Sequence, residues 1–246
     1  MRIVIVQPNT TQAVSDRVAD AARRAAGPNT RIEVVTAPFG APSIEFRSEA
    51  AIAAHAILEA FAHRAQGADA GIVAGFGDPG VAASKELFAF PVIGLAEAAM
   101  LTACMLGGRF SILTVGPRWG QMLRETAAVY GLSSRLASIR TIAGRVHHAS
   151  PSDEWLAAFD EAGRMAVAED GAEVLIVGGG GVSGLARQLA ESVDVPVLDG
   201  VDCAVRMAEM LVSLGVRKPV TGSYSSPKDK QLHGIDDTLA RLFQGG

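Results

Sequence analysis

Cysteine is scarce: Cys104 and Cys203 are the only two in 246 residues, with no CxxC spacing and no histidine cluster. A disulfide framework and a thiolate–imidazole zinc site are thereby excluded as organising features, and no metal is expected. Aromatic residues make up 5% of the chain and the net charge is −4. Neither the basic field nor the stacking surface of a nucleic-acid or anionic-membrane binder is present. No apolar run reaches the roughly 18–20 residues a membrane-spanning helix needs. The chain enters a strand at Arg2-Ile-Val-Ile-Val6, without a secretory signal's charged start and apolar stretch, so the expectation is a cytoplasmic protein.

What the chain does have is apolar residues (49%), 27 glycines, and enough length for one large or two small domains with a substantial core. Short β-branched runs alternate with alanine-rich segments of helical period, the pattern of βαβ units and a parallel sheet. Predicted strands are Arg2–Val6, Ile32–Thr36, Ala70–Ala74, Pro91–Gly94, Phe110–Thr114, Arg135–Thr141, Val174–Val177 and Pro196–Leu198. Their unbroken apolar character fits strands buried on both faces. Predicted helices are Thr11–Ala26, Ile44–Ala65, Pro79–Leu87, Ala96–Leu106, Trp119–Tyr130, Pro151–Glu169, Ser183–Ser192 and Asp202–Leu214, with a short one near Ile235–Phe243. Asp78 is expected to cap the helix at Pro79, Ser150 or Ser152 the sixth helix, and Ser183 the seventh.

Two stretches are copies of each other. At a constant offset of 104 residues, Gly67, Ala68, Val73, Gly75, Gly77 and Gly80 fall on Gly171, Ala172, Val177, Gly179, Gly181 and Gly184. One residue further out of step, Pro91-Val92-Ile93 falls on Pro196-Val197-Leu198, and Arg2-Ile-Val-Ile-Val parallels Arg109-Phe-Ser-Ile-Leu. An internal repeat decides the architecture. The expected fold is α/β, with two pseudo-symmetric Rossmann-like lobes, each a four-stranded parallel sheet flanked by helices. Residues 1–96 with 216–246 form the first lobe, residues 97–215 the second, and the active-site cleft lies between them.

Ligands of open parallel sheets bind beyond the carboxyl ends of the strands. Turn chemistry marks four such ends: Gln7–Thr11, Gly75–Gly80, Thr114–Pro117 and Gly179–Gly184. Glycine lets a ligand approach the backbone, whose N–H groups can then hold an anion or a carbonyl. Both turns also read G-x-G-x-x-G, but each follows a third strand rather than the first strand of its unit, which weakens a dinucleotide reading. The candidate ligand contacts at these ends are Asn9, Thr10, Phe76, Gly77, Thr114, Gly180 and Gly181. Of the histidines, His55 and His63 share a helix, His147 and His148 precede one, and His233 lies with Tyr224 in the tail; none forms a defensible Ser-His-Asp set.

Several of these stretches together resemble the aspartate/glutamate/hydantoin racemase superfamily, and its hydantoin/allantoin branch in particular. They are Gln7-Pro8-Asn9-Thr10-Thr11, Phe39-Gly40 with Ser43-Ile44-Glu45, Phe76-Gly77-Asp78-Pro79-Gly80, Gly94-Leu-Ala-Glu97, Leu106-Gly-Gly-Arg-Phe110, Gly181-Val-Ser-Gly184-Leu-Ala and Pro196-Val-Leu-Asp-Gly-Val201. The resemblance implies a cofactor-independent enzyme, often a homo-oligomer, acting on a hydantoin, allantoin or small carboxylate, and it adds Ser43, after Phe39-Gly40, as a candidate substrate contact. In that family two cysteines face each other across the cleft. One thiolate takes the proton from the stereocentre, and the other thiol returns one on the opposite face. The matching positions here are Gly75 and Gly179, so two-cysteine racemisation is not expected of this chain. Cys104 and Cys203 fall on helix packing faces and do not replace them. Arylmalonate decarboxylases resemble the family and carry glycine at the first position. That leaves open a decarboxylase, lyase or isomerase using another base, or a non-catalytic binding protein for a small molecule or dinucleotide.

Overall fold

A computed structural model of the chain describes residues 1–143, 153–227 and 229–244. The first half runs β1 (Arg2–Gln7), α1 (Gln12–Ala25), β2 (Arg31–Thr36), α2 (Arg47–Arg64), β3 (Ala70–Val73), α3 (Val81–Leu87), β4 (Val92–Gly94) and α4 (Leu95–Leu106). The second runs β5 (Phe110–Val115), α5 (Trp119–Val129), β6 (Leu136–Ile142), α6 (Asp153–Ala168), β7 (Val174–Gly178), a 3₁₀ turn (Gly180–Val182), α7 (Leu185–Leu189), β8 (Val197–Asp199) and α8 (Gly200–Ser213), with α9 (Asp237–Arg241) in the tail. Ser150, Ser152, His147 and His148 lie outside the described residues.

Two four-stranded parallel sheets result, ordered β2-β1-β3-β4 and β6-β5-β7-β8. The order is the same in both halves, as the repeat requires. Ile5 pairs with Val34 and Ile72, and its counterpart Ile112 with Ile139 and Ile176.

The period of two along each strand divides the core into three parts. Ile3, Ile5, Ile72 and Ile93 of the first sheet join Phe110, Ile112, Val174 and Ile176 of the second in one cluster with α1, α4, α5 and α8. The alternate residues Val4, Val6 and Val73 pack under α2, α3 and α9 through Ile57, Phe61, Val81 and Leu239. Leu113, Val115, Leu175 and Val177 pack under α6 and α7 through Phe159, Leu185 and Leu189. Each such buried aliphatic side chain contributes about 1.5–3 kcal/mol. The central helices are alanine-rich where they meet: Ala96, Ala99 and Ala103 of α4, and Ala204 and Ala208 of α8, are buried, and small side chains there let the two helices approach closely.

Left-handed glycines move two helix starts away from the sequence expectation. α3 begins at Val81 rather than Pro79 because Gly80 is left-handed (φ +73°). Asp78 therefore does not cap α3. Its carboxylate instead accepts the N–H groups of Ala96 (3.0 Å) and Glu97 (2.7 Å), capping α4 from eighteen residues away. Nor does Ser183 cap α7, which starts after left-handed Gly184 (φ +94°) and has no side-chain cap. The tail returns to the first half, where Leu239 is buried under α2 and Asp236 meets His63 at 3.0 Å. Among the described residues no helix is long and apolar enough to cross a membrane.

Candidate functional site

In each sheet the chain leaves its first strand to one side and returns on the other. The crevice at such a switch point, outside the carboxyl ends of β1 and β3 or of β5 and β7, is where open α/β sheets bind ligands. Here the two crevices meet in one cavity of about 250 Å³. Gln7, Pro8 and Asn9 line it from the end of β1, and Ala74, Gly75 and Phe76 from the end of β3. Thr114 to Trp119 line it from the end of β5 onward, Gly178 to Val182 from the end of β7 onward, and Ser43, Ile44 and Glu45 close one side.

The halves interlock around this cavity. The Phe76 ring crosses from the first half onto glycine backbone of the second: a Cβ at Gly178 would lie 2.6 Å from Phe76 Cε1, and one at Gly200 3.3 Å from Cδ2. In return Gly180 packs against Ala74 O, Val14 and Val18 of the first half. Trp119 covers Gly77, where an added Cβ would come within 2.5 Å of the indole. Further out, Arg47 pairs with Glu125 through two bonds of 2.6 and 2.9 Å, and the Arg118 guanidinium sits 4.6 Å above the Phe46 ring.

The two glycine turns close alike, Asp78 N–H donating to Gly75 O (3.0 Å) and Val182 N–H to Gly179 O (3.1 Å). The N–H groups of Phe76 and Gly180, repeat equivalents of each other, have no backbone acceptor among the described residues. Thr114 is buried and donates its hydroxyl to Gly178 O (2.8 Å), while Asn9 accepts Thr11 N–H (3.0 Å) and Ser43 donates to Glu45 (2.9 Å).

Of the residues expected from sequence, Asn9, Ser43, Gly75, Phe76, Thr114, Gly179, Gly180 and Gly181 share this one cavity. Two do not. Thr10 is exposed and its N–H is engaged by Ala41 O (3.1 Å), and Gly77 lies behind Trp119 in a neighbouring hollow. Neither thiol reaches the cavity. Cys104 lies on α4 and Cys203 on α8, where burial pushes the Cys203 thiol up to about 11. His55, His63 and His233 also lie elsewhere, and Tyr224 lines the hollow beside Gly77.

Gln7, Glu45, Arg118 and Trp119 also line the cavity, though none was expected as a ligand contact. Gln7 had a usable signal, its place at the end of the first strand. The other three lie in loops or at a helix start with no periodicity to mark them.

A buried carboxylate supports each glycine turn from behind. Asp78 is held by the two α4 amides and by the Tyr130 hydroxyl of the other half (2.7 Å). Burial pushes it up to about 7, against the pull of those hydrogen bonds. Asp199 accepts the N–H groups of Val201 (2.8 Å) and Gly184 (2.6 Å), and burial raises it too.

This geometry has close parallels. The Asp/Glu/Hydantoin racemase family profile matches residues 3–208. Hydantoin racemase of Paenarthrobacter aurescens is 38% identical over 94% of this chain and 99% of its own length. Hydantoin racemase of Pseudomonas sp. (strain NS671) is 33% identical over 98% of each. The structure of allantoin racemase from Klebsiella pneumoniae superposes with a TM-score of 0.93 at 39% identity, covering 97% of this chain and 98% of that one. The shared architecture, the repeat and these similarities lead to one conclusion: the chain belongs to the Asp/Glu/hydantoin racemase family.

Proposed function

We propose that the cavity holds a small imide-bearing or anionic ligand with an acidic C–H bond, and that the chain is a racemase-type scaffold whose two proton-transfer positions, Gly75 and Gly179, carry no acid or base. The observation that carries this reading is the pairing of two repeat-related turns across one cavity, each offering an N–H without a backbone acceptor. Removing a proton beside a carbonyl builds charge on its oxygen, and preorganised amides at Phe76 and Gly180 suit that charge. Asn9, Ser43, Thr114 and Gly181 would orient the ligand. Glycine can neither take nor return a proton, so two-base racemisation does not run in the chain as it stands. The hydantoin and allantoin racemases among its relatives favour a ureide ring as ligand. The cavity volume suits one small ring rather than a dinucleotide.

Proton NMR in D2O tests this, with 5-methylhydantoin, allantoin and an arylmalonate, on the unaltered protein and on Gly75→Cys/Gly179→Cys. Exchange of the substrate α-proton is expected only in the cysteine variant. The two sites accept a side chain on different terms. A Cβ at Gly75 would lie 2.7 Å from Pro8 Cγ, so that ring must shift, whereas Gly179 has room but a left-handed φ of +135°. The variant is therefore expected to be less stable than the parent as well as more active. No exchange in the folded variant would sink the proposal.

A second reading has one specific observation behind it: Glu45, partly buried on the wall and hydrogen-bonded by Ser43, is a carboxylate within the cavity. If the unaltered chain exchanges the proton or releases CO2, Glu45→Gln is expected to abolish that activity.

A further inference from the structure

Gln7 ends β1 on the cavity wall and is 2% exposed. Its amide oxygen is buried and has no hydrogen-bond partner. The neighbouring polar side chains each have a protein partner: Asn9 Oδ1 accepts Thr11 N–H, Ser43 donates to Glu45, and Thr114 donates to Gly178 O. A buried, unpaired amide oxygen is a standing cost to a folded protein, and native folds rarely keep one without a use.

We infer that Gln7 is the specificity residue that reads the ligand's amide edge, its side-chain oxygen and nitrogen pairing with a cis –NH–C(=O)– unit of an imide or ureide ring. The inference rests on the ligand class proposed above and selects within it. The last torsion of glutamine is soft, so a modest rotation turns the oxygen toward a ligand N–H and the nitrogen toward the adjoining carbonyl. A cyclic imide presents donor and acceptor side by side. A carboxylate presents only acceptors, would leave the Gln7 oxygen unpaired, and adds negative charge to a wall that already holds Glu45. The cation on the wall, Arg118, is exposed and engaged with the Phe46 ring. A site built around a hydrogen bond discriminates sharply against an analogue lacking that group, because its own polar atom is then orphaned.

Gln7→Met keeps the length of the side chain and removes both polar atoms. Isothermal titration of native and variant protein uses 5-methylhydantoin, its derivative methylated on both ring nitrogens, and methylmalonate. The variant is expected to bind the parent hydantoin about tenfold or more weakly and the dimethylated ring within about twofold of native. A packing role for Gln7 would weaken both rings equally. The thermal midpoint of the ligand-free variant is expected to be unchanged or higher, because an unpaired polar group has gone. Native-like hydantoin affinity in Gln7→Met, or equal losses on the two rings, would overturn the assignment. Native preference for methylmalonate would overturn it while leaving the small-anion form of the proposed function standing. Binding of none of the three by native protein would sink the proposed function and Gln7's role with it. Should Gln7→Met not fold, Gln7→Asn, which withdraws the amide by one methylene, is read in the same way.

Discussion

Gly77 and Gly179 share a left-handed backbone, with φ of +143° and +135°, yet their surroundings differ. An added methyl at Gly179 meets only Val182 Cγ2 at 3.4 Å, whereas at Gly77 it runs into the Trp119 indole at 2.5 Å. Alanine at either site incurs backbone strain of about 1–3 kcal/mol. Gly77→Ala is expected to lose about 1–3 kcal/mol more, because the indole must be displaced. Urea unfolding of the two variants checks this, and equal midpoints would mean that Trp119 moves aside freely. The same pair shows what was legible one residue at a time. The repeat marked both glycines as turn residues, but nothing local told that one faces the cavity and the other the underside of a tryptophan from the other half. Gln7 was visible as a strand end, while its unpaired oxygen is a property of the packed molecule alone.

The strands were legible to within a residue or two: the inner strands β1, β3, β5 and β7 are buried apolar runs as expected, whereas the edge strands β2 and β6 are only half-buried, with Glu33 and Arg140 interrupting the apolar run. Helix starts were less so where left-handed glycines intervene, as at Gly80 and Gly184. The capping of α4 by Asp78 was hidden, since its partner lies eighteen residues away on the far side of a strand. That cap has a pH signature. Asp78 moves from its ordinary 3.8 to about 7 on folding, so between those values the folded state holds a proton that the unfolded chain has released. Its stabilising contribution is therefore full below about 3.8 and is lost as pH rises through about 7. Asp78→Asn keeps one acceptor and tolerates the positive φ of 54°. It is expected to flatten the fall in stability over that window, leaving the part due to Asp199, which burial also raises. Tyr130→Phe removes a bond that favours the carboxylate, so it is expected to move the loss to higher pH. Urea unfolding across the pH range measures both, and an unaltered slope in Asp78→Asn would assign the titration to another group.

The central cluster draws Ile3, Ile5 and Ile72 from one sheet and Phe110, Ile112 and Ile176 from the other, so neither half carries a complete core of its own. The molecule is expected to unfold in a single transition. Trp119 and Trp155 both lie in the second half, so their fluorescence reports that half while far-ultraviolet circular dichroism reports both. The two curves should coincide, and separated midpoints would show that the sheets are independent. Phe76→Ala, which empties the space over Gly178 and Gly200, is expected to cost about 3–5 kcal/mol while preserving that coincidence.

The buried acids also make the likeness of the halves inexact in a useful way. In register with the repeat, Gly94 corresponds to Asp199. In the first half the carboxylate reaches the strand–helix junction from the turn, at Asp78; in the second it sits at the junction itself, at Asp199. A Cβ at Gly94 would lie 2.2 Å from the Asp78 carboxyl carbon, so one half cannot hold both arrangements. Positions 78 and 94 thus form one choice made once. Among divergent descendants of this chain an acid at 94 should appear only with a small neutral residue at 78, and the exchange should pass through an intermediate that folds poorly.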